Sequence, residues 1–346
     1  MPATLPPNPE RYAQLLAFVA QQAADFQLDA SSLQPASADA SFRRYFRIAG
    51  LGGHLIIMDA PPAFEDCKPF ISVAQQFSKA GLNVPTVLAQ DLDAGFLLLK
   101  DLGSTTFLQA LQAGDDHRPL YDAALQTLVN LQGASALHTL PAYTAEKLHE
   151  EMALFESWFL NAHHGIVLNE REKALLQVAF KLIINACTAQ HQTSVHRDYH
   201  CRNLMVCQGA QGATPGVLDF QDALHGPYTY DLASLLRDAY IDWPEDAQIE
   251  LAIAYWKKAQ TAGLAVPADF GELWRDYEWM GLQRHLKVLG IFARLHHRDG
   301  KDGYLKDLPL VLKYAQRTAQ RYDGLGILVR LLDRVQGLER ASGVTF

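Results

Sequence analysis

Short strand-like segments interrupt a long helical stretch in the second half of this chain. From Thr105 onward the apolar residues recur at helical spacing. One island breaks this pattern, because Ser194–His196, Leu204–Val206 and Gly216–Leu218 have the composition of short strands separated by turns. The second half is therefore predicted to be mostly helical, with polar residues of the island on turns between short strands. The helices are expected at approximately 118–138, 144–161, 170–190, 229–240, 246–262, 271–296 and 309–337.

The first part of the chain alternates between helical and strand-like periods. A capping Asn8 followed by Pro9 opens a helix that continues to about Phe26. The other expected elements are strands at Arg44–Ile48, Leu55–Met58, Val84–Leu88 and Phe96–Leu99, and a helix between Glu65 and Ala80. Together the two patterns predict an α+β fold, with a small antiparallel β lobe at residues 1–101 and a mostly helical lobe at 102–346.

Composition restricts the class of protein further. Hydrophobic residues make up 49% of the 346 residues and charged residues 20%, which is typical of soluble globular proteins. The formal charge of −8 argues against bulk binding of nucleic acid but leaves a local anion site open. Four cysteines without a C-x-x-C pair predict reduced thiols, and no apolar run has the length of a membrane span. We expect a cytoplasmic protein that acts on small molecules, with no nucleic-acid, membrane or obligate protein partner.

The island contains a motif with a defined chemistry. The run His196-Arg-Asp-Tyr-His-Cys-Arg-Asn203 matches the H-R-D-x-x-x-x-N pattern of protein-kinase catalytic loops, and Asp219 follows 16 residues after Asn203. Phosphoryl transfer needs a carboxylate that orients the attacking hydroxyl, and oxygen ligands for the magnesium ion on the nucleotide phosphates. Asp198 is the predicted catalytic residue, and Asn203 and Asp219 are the predicted magnesium ligands. An H-R-D triplet alone would also fit an aspartate that caps its own turn, but the two further residues favour the catalytic role.

Longer strings around this motif resemble a known superfamily. Val195–Tyr199 with Asn203–Met205, followed by Gly216–Asp222, looks like the aminoglycoside phosphotransferases and choline kinases. True protein kinases fit less well, because Gln221 replaces the third glycine of their metal-binding motif and no A-P-E follows. The resemblance implies a protein-kinase-like fold of two lobes that uses ATP and Mg²⁺.

Three further strings narrow the resemblance. Ser41–Arg47, Met58–Pro62 and Gly281–Lys287 closely resemble the anomeric N-acetylmuramate/N-acetylglucosamine kinases of bacterial cell-wall recycling. The implied reaction transfers the γ-phosphoryl group of ATP to the anomeric hydroxyl of an N-acetylated amino sugar and gives an α-1-phosphate. The catalytic strings are shared across the superfamily and indicate the reaction, whereas these longer strings indicate the substrate.

The resemblance also implies where the nucleotide binds. Leu97–Leu102 would be the hinge between the lobes, where backbone groups near Lys100 and Leu102 pair with adenine. The alternative is an edge strand that ends in a turn. The loop that contains Ser41 would cover the phosphates, although it lacks the glycines of a G-x-G-x-x-G loop.

One departure concerns the phosphate-binding cation. Kinases normally place a lysine on the strand that corresponds to His54–Asp59, and this strand has none. Arg43 and Arg44 are the candidate replacements, because a guanidinium can bind phosphate oxygens bidentately. Glu65 and Asp66 are possible partners for such an arginine. The alternative is that these arginines form only a solvated strand face.

The segment after Asp219 is expected to line the acceptor side of the site. Asp222, His225 and Tyr228 could hydrogen-bond sugar hydroxyls, and Arg237 could pair with Asp222 or Asp231. Asp231 is more simply explained as a cap of the helix that follows.

Cations on the helix from 271 could bind a sugar acid. Arg284, Lys287 and Arg294 share approximately one helix face, and the lactyl carboxylate of N-acetylmuramate would require such a cation. The alternative is an ordinary solvent-facing helix. The pairs His163-His164 and His296-His297 each lack the partner ligands of a zinc site, so no zinc is expected.

Three other functions stay open at this point. The same machinery could phosphorylate another small hydroxyl compound such as choline, homoserine or an aminoglycoside, although an aminoglycoside pocket should be strongly acidic. The missing strand lysine would also suit a nucleotide-binding pseudokinase, which the presence of Asp198, Asn203 and Asp219 argues against. A structural helical scaffold would bind no nucleotide at all.

Overall fold

A five-stranded antiparallel sheet forms the centre of the first part of the chain in the computed structural model, which describes residues 9–38, 42–134, 140–209 and 212–338. The strands are β1 (Asp29–Ala38), β2 (Arg44–Gly50), β3 (Gly53–Asp59), β4 (Val87–Asp91) and β5 (Phe96–Lys100), in the order β1-β2-β3-β5-β4. The helices of this part are α1 (Pro9–Phe26), α2 (Cys67–Lys79) and α3 (Phe107–Gln112). The predicted antiparallel β region is confirmed.

Strands β2 and β3 form a hairpin, and its register positions an ion pair. Gly52 and Gly53 have φ values of 79° and 136°, which glycine adopts without a steric cost, and they close the turn. The pairing runs from Gly50 opposite Gly53 to Arg44 opposite Asp59. An arginine and an aspartate therefore face each other at the far end of the hairpin.

Strand β1 was not expected from the sequence. Its residues are small and polar, it includes Pro35, and its pairing with β2 has irregularities on both sides of the proline. A proline cannot donate to a neighbouring strand, so it is tolerated on the edge of a sheet, where β1 lies. Composition alone does not predict such an edge strand, because the hydrogen bonds to β2 hold it in an extended conformation.

Helix α1 packs on the sheet through a small apolar core. Leu15, Phe18 and Val19 lie on one face of the helix and are buried against strand residues that include Phe46 and Phe96. The rings of Phe18 and Phe96 stack with their centroids 5.5 Å apart. Helix α2 begins after Asp66, whose side chain accepts a hydrogen bond from the Lys68 amide at 2.9 Å.

Packing divides the chain into two compact units. One contains Met1–Gly114 together with Asn203–Asp222, and the other contains Asp115–Arg202 together with Ala223–Phe346. The second segment of the first unit comes from the island, so the units interleave along the chain. The lobe boundary expected between residues 101 and 102 stays a prediction.

The second unit is helical. Its helices are α4 (His117–Gly133), α5 (Ala145–Leu154), a π-helical continuation (Phe155–His163), α6 (Glu170–Thr188), α7 (Tyr230–Leu236), α8 (Glu245–Thr261), α9 (Phe270–Asp299), a 3₁₀ segment (Asp302–Asp307), α10 (Leu308–Arg321) and α11 (Gly326–Val335). Helix α9 is the central element, because most of its residues from Leu273 to Leu295 are buried. Among the described residues, no helix combines the length and apolar character needed to span a membrane.

Three expected helices differ from the observed ones. The helix predicted at 309–337 is broken into α10 and α11, and Gly324 lies in the break with a φ of 84°. The helix predicted at 144–161 changes from α to π geometry after Leu154. The helix predicted at 118–138 ends at Gly133, and residues 135–138 lie outside the described part of the chain.

The island forms short antiparallel pairs. Strand β6 (Gln192–Val195) pairs with β11 (Leu224–Pro227), β7 (Leu204–Met205) pairs with β10 (Gly216–Val217), and β8 (Gln208–Gly209) pairs with β9 (Gly212–Ala213). Strand β11 was not expected, because its sequence Leu-His-Gly-Pro lacks a strand-like composition. These pairs place the predicted catalytic loop after β6 and the predicted metal ligands next to β7 and β10.

A matched pair of glycines in α9 tests how closely this helix packs. A Cβ added at Gly290 would lie 2.4 Å from the carbonyl carbon of Leu154, whereas at Gly281 the nearest atom would be 3.6 Å away. We predict that Gly290→Ala destabilises the protein by about 1–3 kcal/mol through overpacking. Gly281→Ala should be neutral or stabilising by up to about 1 kcal/mol, because alanine favours the helix. Urea unfolding of both variants measures the difference, and equal midpoints would contradict the close approach.

Candidate active site

The backbone of the predicted catalytic loop is fixed by a side chain from another element. Asp231, in α7, accepts hydrogen bonds from the amide of His196 at 2.7 Å and from the amide of Arg197 at 2.9 Å. Arg197 has a φ of 80°, a left-handed conformation that is rare for a residue with a side chain. The expectation that Asp231 caps a helix is wrong, since α7 begins at Tyr230 after Thr229 and the Asp231 carboxylate bonds to the loop instead.

A buried glutamate holds the side chains next to this loop. Glu151 pairs with the guanidinium of Arg197, and its Oε1 lies 3.2 Å from the Nζ of Lys287. It also accepts a hydrogen bond from the Tyr143 hydroxyl, while Lys287 donates to the Tyr230 hydroxyl at 3.0 Å. Burial alone would raise the pKa of Glu151, but the charges of Lys287 and Arg197 outweigh it and hold the pKa below its usual range. Glu151 is therefore an ionised partner for two cations.

Asp198 lies in a cavity of the helical unit. The cavity is lined by Asp198, His200, Tyr230, Ala239, Tyr240, Arg284, Lys287, Val288, Ile291 and Phe292. Burial acts to raise the pKa of Asp198, and the neighbouring charges, that of Lys287 above all, lower it below the usual aspartate range. A carboxylate that is ionised at neutral pH can accept a proton or orient a hydroxyl group.

The other polar groups of the cavity leave it with a positive character. Burial lowers the pKa of His200 to about 3, so this imidazole is neutral and balances no charge at neutral pH. Arg284 is 5% exposed, and its buried Nε has no hydrogen-bond partner among the described residues. A buried donor without a partner is costly, and because Arg284 also lines the cavity it is a candidate donor to an acceptor from a ligand.

The structure brings the two predicted magnesium ligands together within the first unit. Leu218 donates its amide to the carbonyl oxygen of Asn203 at 2.9 Å, which extends the pairing of β7 and β10. This pairing brings the two side chains together, and Asn203 Nδ2 donates to Asp219 Oδ2 at 3.3 Å. Gln221 Nε2 donates to the other carboxylate oxygen at 2.8 Å, and Asp219 has a left-handed φ of 61°. A carboxylate next to an amide is a set of oxygen ligands that suits Mg²⁺, once the amide of Asn203 presents its oxygen.

The predicted phosphate-binding arginines have different surroundings. Arg44 lies 2.8 Å from the fully buried Asp59, and Arg11 contacts the other oxygen of that carboxylate at 2.6 and 2.9 Å. Arg43 instead pairs with Glu65 at 3.1 Å. Glu65 was an expected arginine partner, whereas Asp66 caps α2. Ser41 lies outside the described residues.

The backbone of the predicted hinge is already partly engaged. The Lys100 amide donates to the carbonyl oxygen of Thr86 at 2.9 Å, and the carbonyl oxygen of Leu102 accepts from Cys207 Sγ at 3.1 Å. The Gly103 amide donates to Asp101 at 2.9 Å. Of the two residues expected to pair with adenine, Leu102 is therefore the better candidate for an amide donor.

Several predicted substrate residues lie away from the cavity lining. Arg237 is fully buried and pairs with Glu278 at 3.2 Å, and the Tyr228 hydroxyl bonds to Asp276 at 3.1 Å. His225 is fixed through its backbone in β11, between Pro141 and Tyr143, and Asp222 is exposed. Of the predicted substrate-binding residues, those that line the described cavity are Arg284 and Lys287, whereas Arg294 does not line it.

Sequence reasoning missed residues that position the loop. Glu151 lies in a helix with ordinary charged neighbours, and its partner Lys287 is 136 positions later in the chain. No local pattern distinguishes such a residue from a surface glutamate. Asp231 offered a weak signal, because a carboxylate inside an otherwise apolar and aromatic helix start needs a buried partner.

Comparison with known proteins assigns the family. Residues 32–270 match the family model described as the phosphotransferase enzyme family, APH. This chain belongs to that phosphotransferase family. The superfamily resemblance predicted from the motifs is thereby confirmed, and the chain is an enzyme of the phosphotransferase class.

Individual relatives agree with this membership. The N-acetylmuramate/N-acetylglucosamine kinase of Pseudomonas aeruginosa is 46% identical over 310 residues, which cover 89% of this chain and 90% of that protein. The protein of the same name from Neisseria meningitidis is 46% identical over 316 residues, which cover 90% and 93%. The crystal structure of a choline kinase from Streptococcus pneumoniae has a TM-score of 0.60 at 12% identity and covers 91% of this chain and 99% of its own. The predicted kinase-like fold class is confirmed.

A pH titration tests the carboxylate that holds the loop. Burial raises the pKa of Asp231 from 3.8 to about 7, although the two amide bonds oppose the rise. Between these two values the unfolded chain has lost this proton and the native phosphotransferase retains it, so the contribution to stability falls as the pH rises. We predict that the free energy of unfolding of the wild type falls relative to that of Asp231→Asn as the pH rises from about 4 to about 7. Above pH about 7 the difference between the two proteins should stay constant. Urea titrations across this range measure it, and a constant difference would refute the assignment.

Proposed function

We propose that this phosphotransferase transfers the γ-phosphoryl group of ATP to the anomeric hydroxyl of N-acetylmuramate, N-acetylglucosamine or both, and so forms the sugar 1-phosphate. The family membership supports the reaction class. The names of the two relatives at 46% identity support the amino-sugar acceptor. A cytoplasmic role in peptidoglycan recycling follows from this substrate.

The proposed catalytic roles rest on the motif and on the surroundings of its residues. Asp198 orients the acceptor hydroxyl and accepts its proton, and its lowered pKa keeps it ionised for that task. Asn203 and Asp219 would hold Mg²⁺, which supplies positive charge to the nucleotide phosphates. An anomeric hydroxyl is more acidic than other sugar hydroxyls, so positioning should contribute more than base strength.

The observation that supports the acceptor most directly is the buried Arg284 donor. N-acetylmuramate has a lactyl carboxylate, which a guanidinium can bind through charge-assisted hydrogen bonds. Lys287 is nearby but is paired with Glu151 at 3.2 Å, so Arg284 is the better candidate for the carboxylate. A polycationic aminoglycoside would be repelled by the same two side chains.

The nucleotide-binding residues are proposed on the same basis. Arg43, paired with Glu65, takes the place of the strand lysine and its glutamate partner in other kinases. Arg44 has a structural role with Asp59. The Leu102 backbone pairs with adenine, and residues 1–101 form the nucleotide-covering lobe while 102–346 form the catalytic and substrate lobe.

Phosphorus NMR of the reaction products tests the function. The protein is incubated with ATP, Mg²⁺ and one acceptor from a panel of N-acetylmuramate, N-acetylglucosamine, choline and an aminoglycoside. We predict a sugar 1-phosphate from the amino sugars, and an Asp198→Asn variant with a kcat about 10²–10⁴-fold lower. A product from choline alone would indicate a different acceptor, and an active Asp198→Asn variant would contradict the role of Asp198.

A substitution at Arg284 tests how the carboxylate is recognised. We predict that Arg284→Gln lowers kcat/KM for N-acetylmuramate by about 10- to 100-fold, since a hydrogen bond to a charged group contributes about 1.5–3 kcal/mol. N-acetylglucosamine has no carboxylate, so its kcat/KM should change by less than about 3-fold. The matched control is Arg294→Gln in the same helix. Equal decreases in kcat/KM for the two sugars would show that Arg284 does not bind the lactyl carboxylate.

A further inference from the structure

The two histidine pairs of the sequence meet in the helical unit. His163 ends the π-helical segment Phe155–His163, and His296 and His297 lie in the last turn of α9. His163 Nδ1 is 3.2 Å from His297 Nε2, and one candidate ligand atom from each of the three histidines lies within 4.8 Å of the others. The sequence-based expectation of no zinc treated each pair alone, and the fold makes each pair the partner of the other.

The separation of two of the candidate ligand atoms suits a shared metal ion. Two nitrogen ligands about 2.0–2.1 Å from a tetrahedral zinc ion are about 3.3 Å apart. The separation of His163 Nδ1 and His297 Nε2 is close to this value. His297 is exposed and the other two histidines are half-buried, so an ion could enter from solvent.

The surroundings also orient one of the ligands. His296 Nδ1 lies 2.7 Å from the Asp302 carboxylate at the start of the 3₁₀ segment, which leaves Nε2 to bind an ion. A carboxylate that accepts the second N–H of a ligand histidine is the usual outer partner in zinc sites. Burial first, and then the neighbouring imidazoles, lower the pKa of His163, which favours the neutral form that a metal requires.

We propose that His163, His296 and His297 bind one divalent transition-metal ion of the zinc class. Three imidazoles leave a fourth position for water. The ion would tie the end of α9 to the end of the π-helical segment, which come from distant parts of the chain. This site is separate from the proposed Mg²⁺ ligands and does not depend on the proposed function.

Titration of the untagged full-length protein with Zn²⁺ tests the proposal. The protein is first stripped with a chelator, and the titration contains millimolar Mg²⁺ and no nucleotide, so that oxygen-rich sites are occupied. We expect one equivalent to bind with micromolar or tighter affinity and to raise the Tm. Co²⁺ in the same protein should give the visible absorption of a tetrahedral nitrogen-ligated ion.

Variants identify the ligands. His163→Ala and His297→Ala should each weaken binding by at least about 100-fold, because loss of an outer partner alone costs about 10–100-fold. Asp302→Asn should weaken it by about 10-fold. His164→Ala, which removes the adjacent imidazole, should bind as the wild type does. Circular dichroism verifies that each variant is folded. The proposal is overturned if the wild type shows no saturable binding, or if folded His163→Ala and His297→Ala bind Zn²⁺ as tightly as the wild type.

Discussion

The position of Asp198, the proposed catalytic residue, depends on the Asp231 carboxylate. It accepts hydrogen bonds from the amides of His196 and Arg197, which directly precede Asp198, and a hydrogen bond of this kind contributes about 0.5–1.5 kcal/mol net. Arg197 has a left-handed backbone conformation. This conformation costs on the order of 1–3 kcal/mol, which other interactions must compensate. The free energy of the two hydrogen bonds together is about equal to the cost of this backbone strain. A side chain in α7 therefore sets the conformation of a loop that follows β6.

The charged groups around this loop divide into a structural set and a set available to ligands. Glu151 pairs with both Arg197 and Lys287, and removing this carboxylate would leave two buried cations without their shared partner. Arg284 has no comparable anchor for its Nε in the described part of the chain. Of the three cations predicted to share one face of α9, Arg284 and Lys287 line the cavity and Arg294 does not, and the two that line it are not equivalent. Lys287 is paired with Glu151, whereas Arg284 is the proposed donor to an acid group of the substrate.

The parts of the site that could be predicted from sequence are those encoded by local spacing. Asp198, Asn203 and Asp219 are recognisable because one loop and one hairpin fix their offsets, and the side chains of Asn203 and Asp219 do lie 3.3 Å apart. Glu151 could not be predicted, since its role exists only after α5 and α9 have packed. Strand β1 could not be predicted for a related reason. It is a strand because it pairs with β2, and its own composition does not favour one.

The compensation of buried charges also bears on which arginine is proposed to replace the strand lysine. Asp59 is fully buried, and both Arg11 and Arg44 contact its carboxylate. Moving Arg44 to a phosphate would remove half of the compensation of a buried charge, which costs several kcal/mol. Arg43 pairs with Glu65, and both of these side chains are partly accessible to solvent, so exchanging that carboxylate for a phosphate carries a smaller desolvation penalty. These contacts support Arg43, rather than Arg44, as the arginine that we propose to meet the nucleotide phosphates.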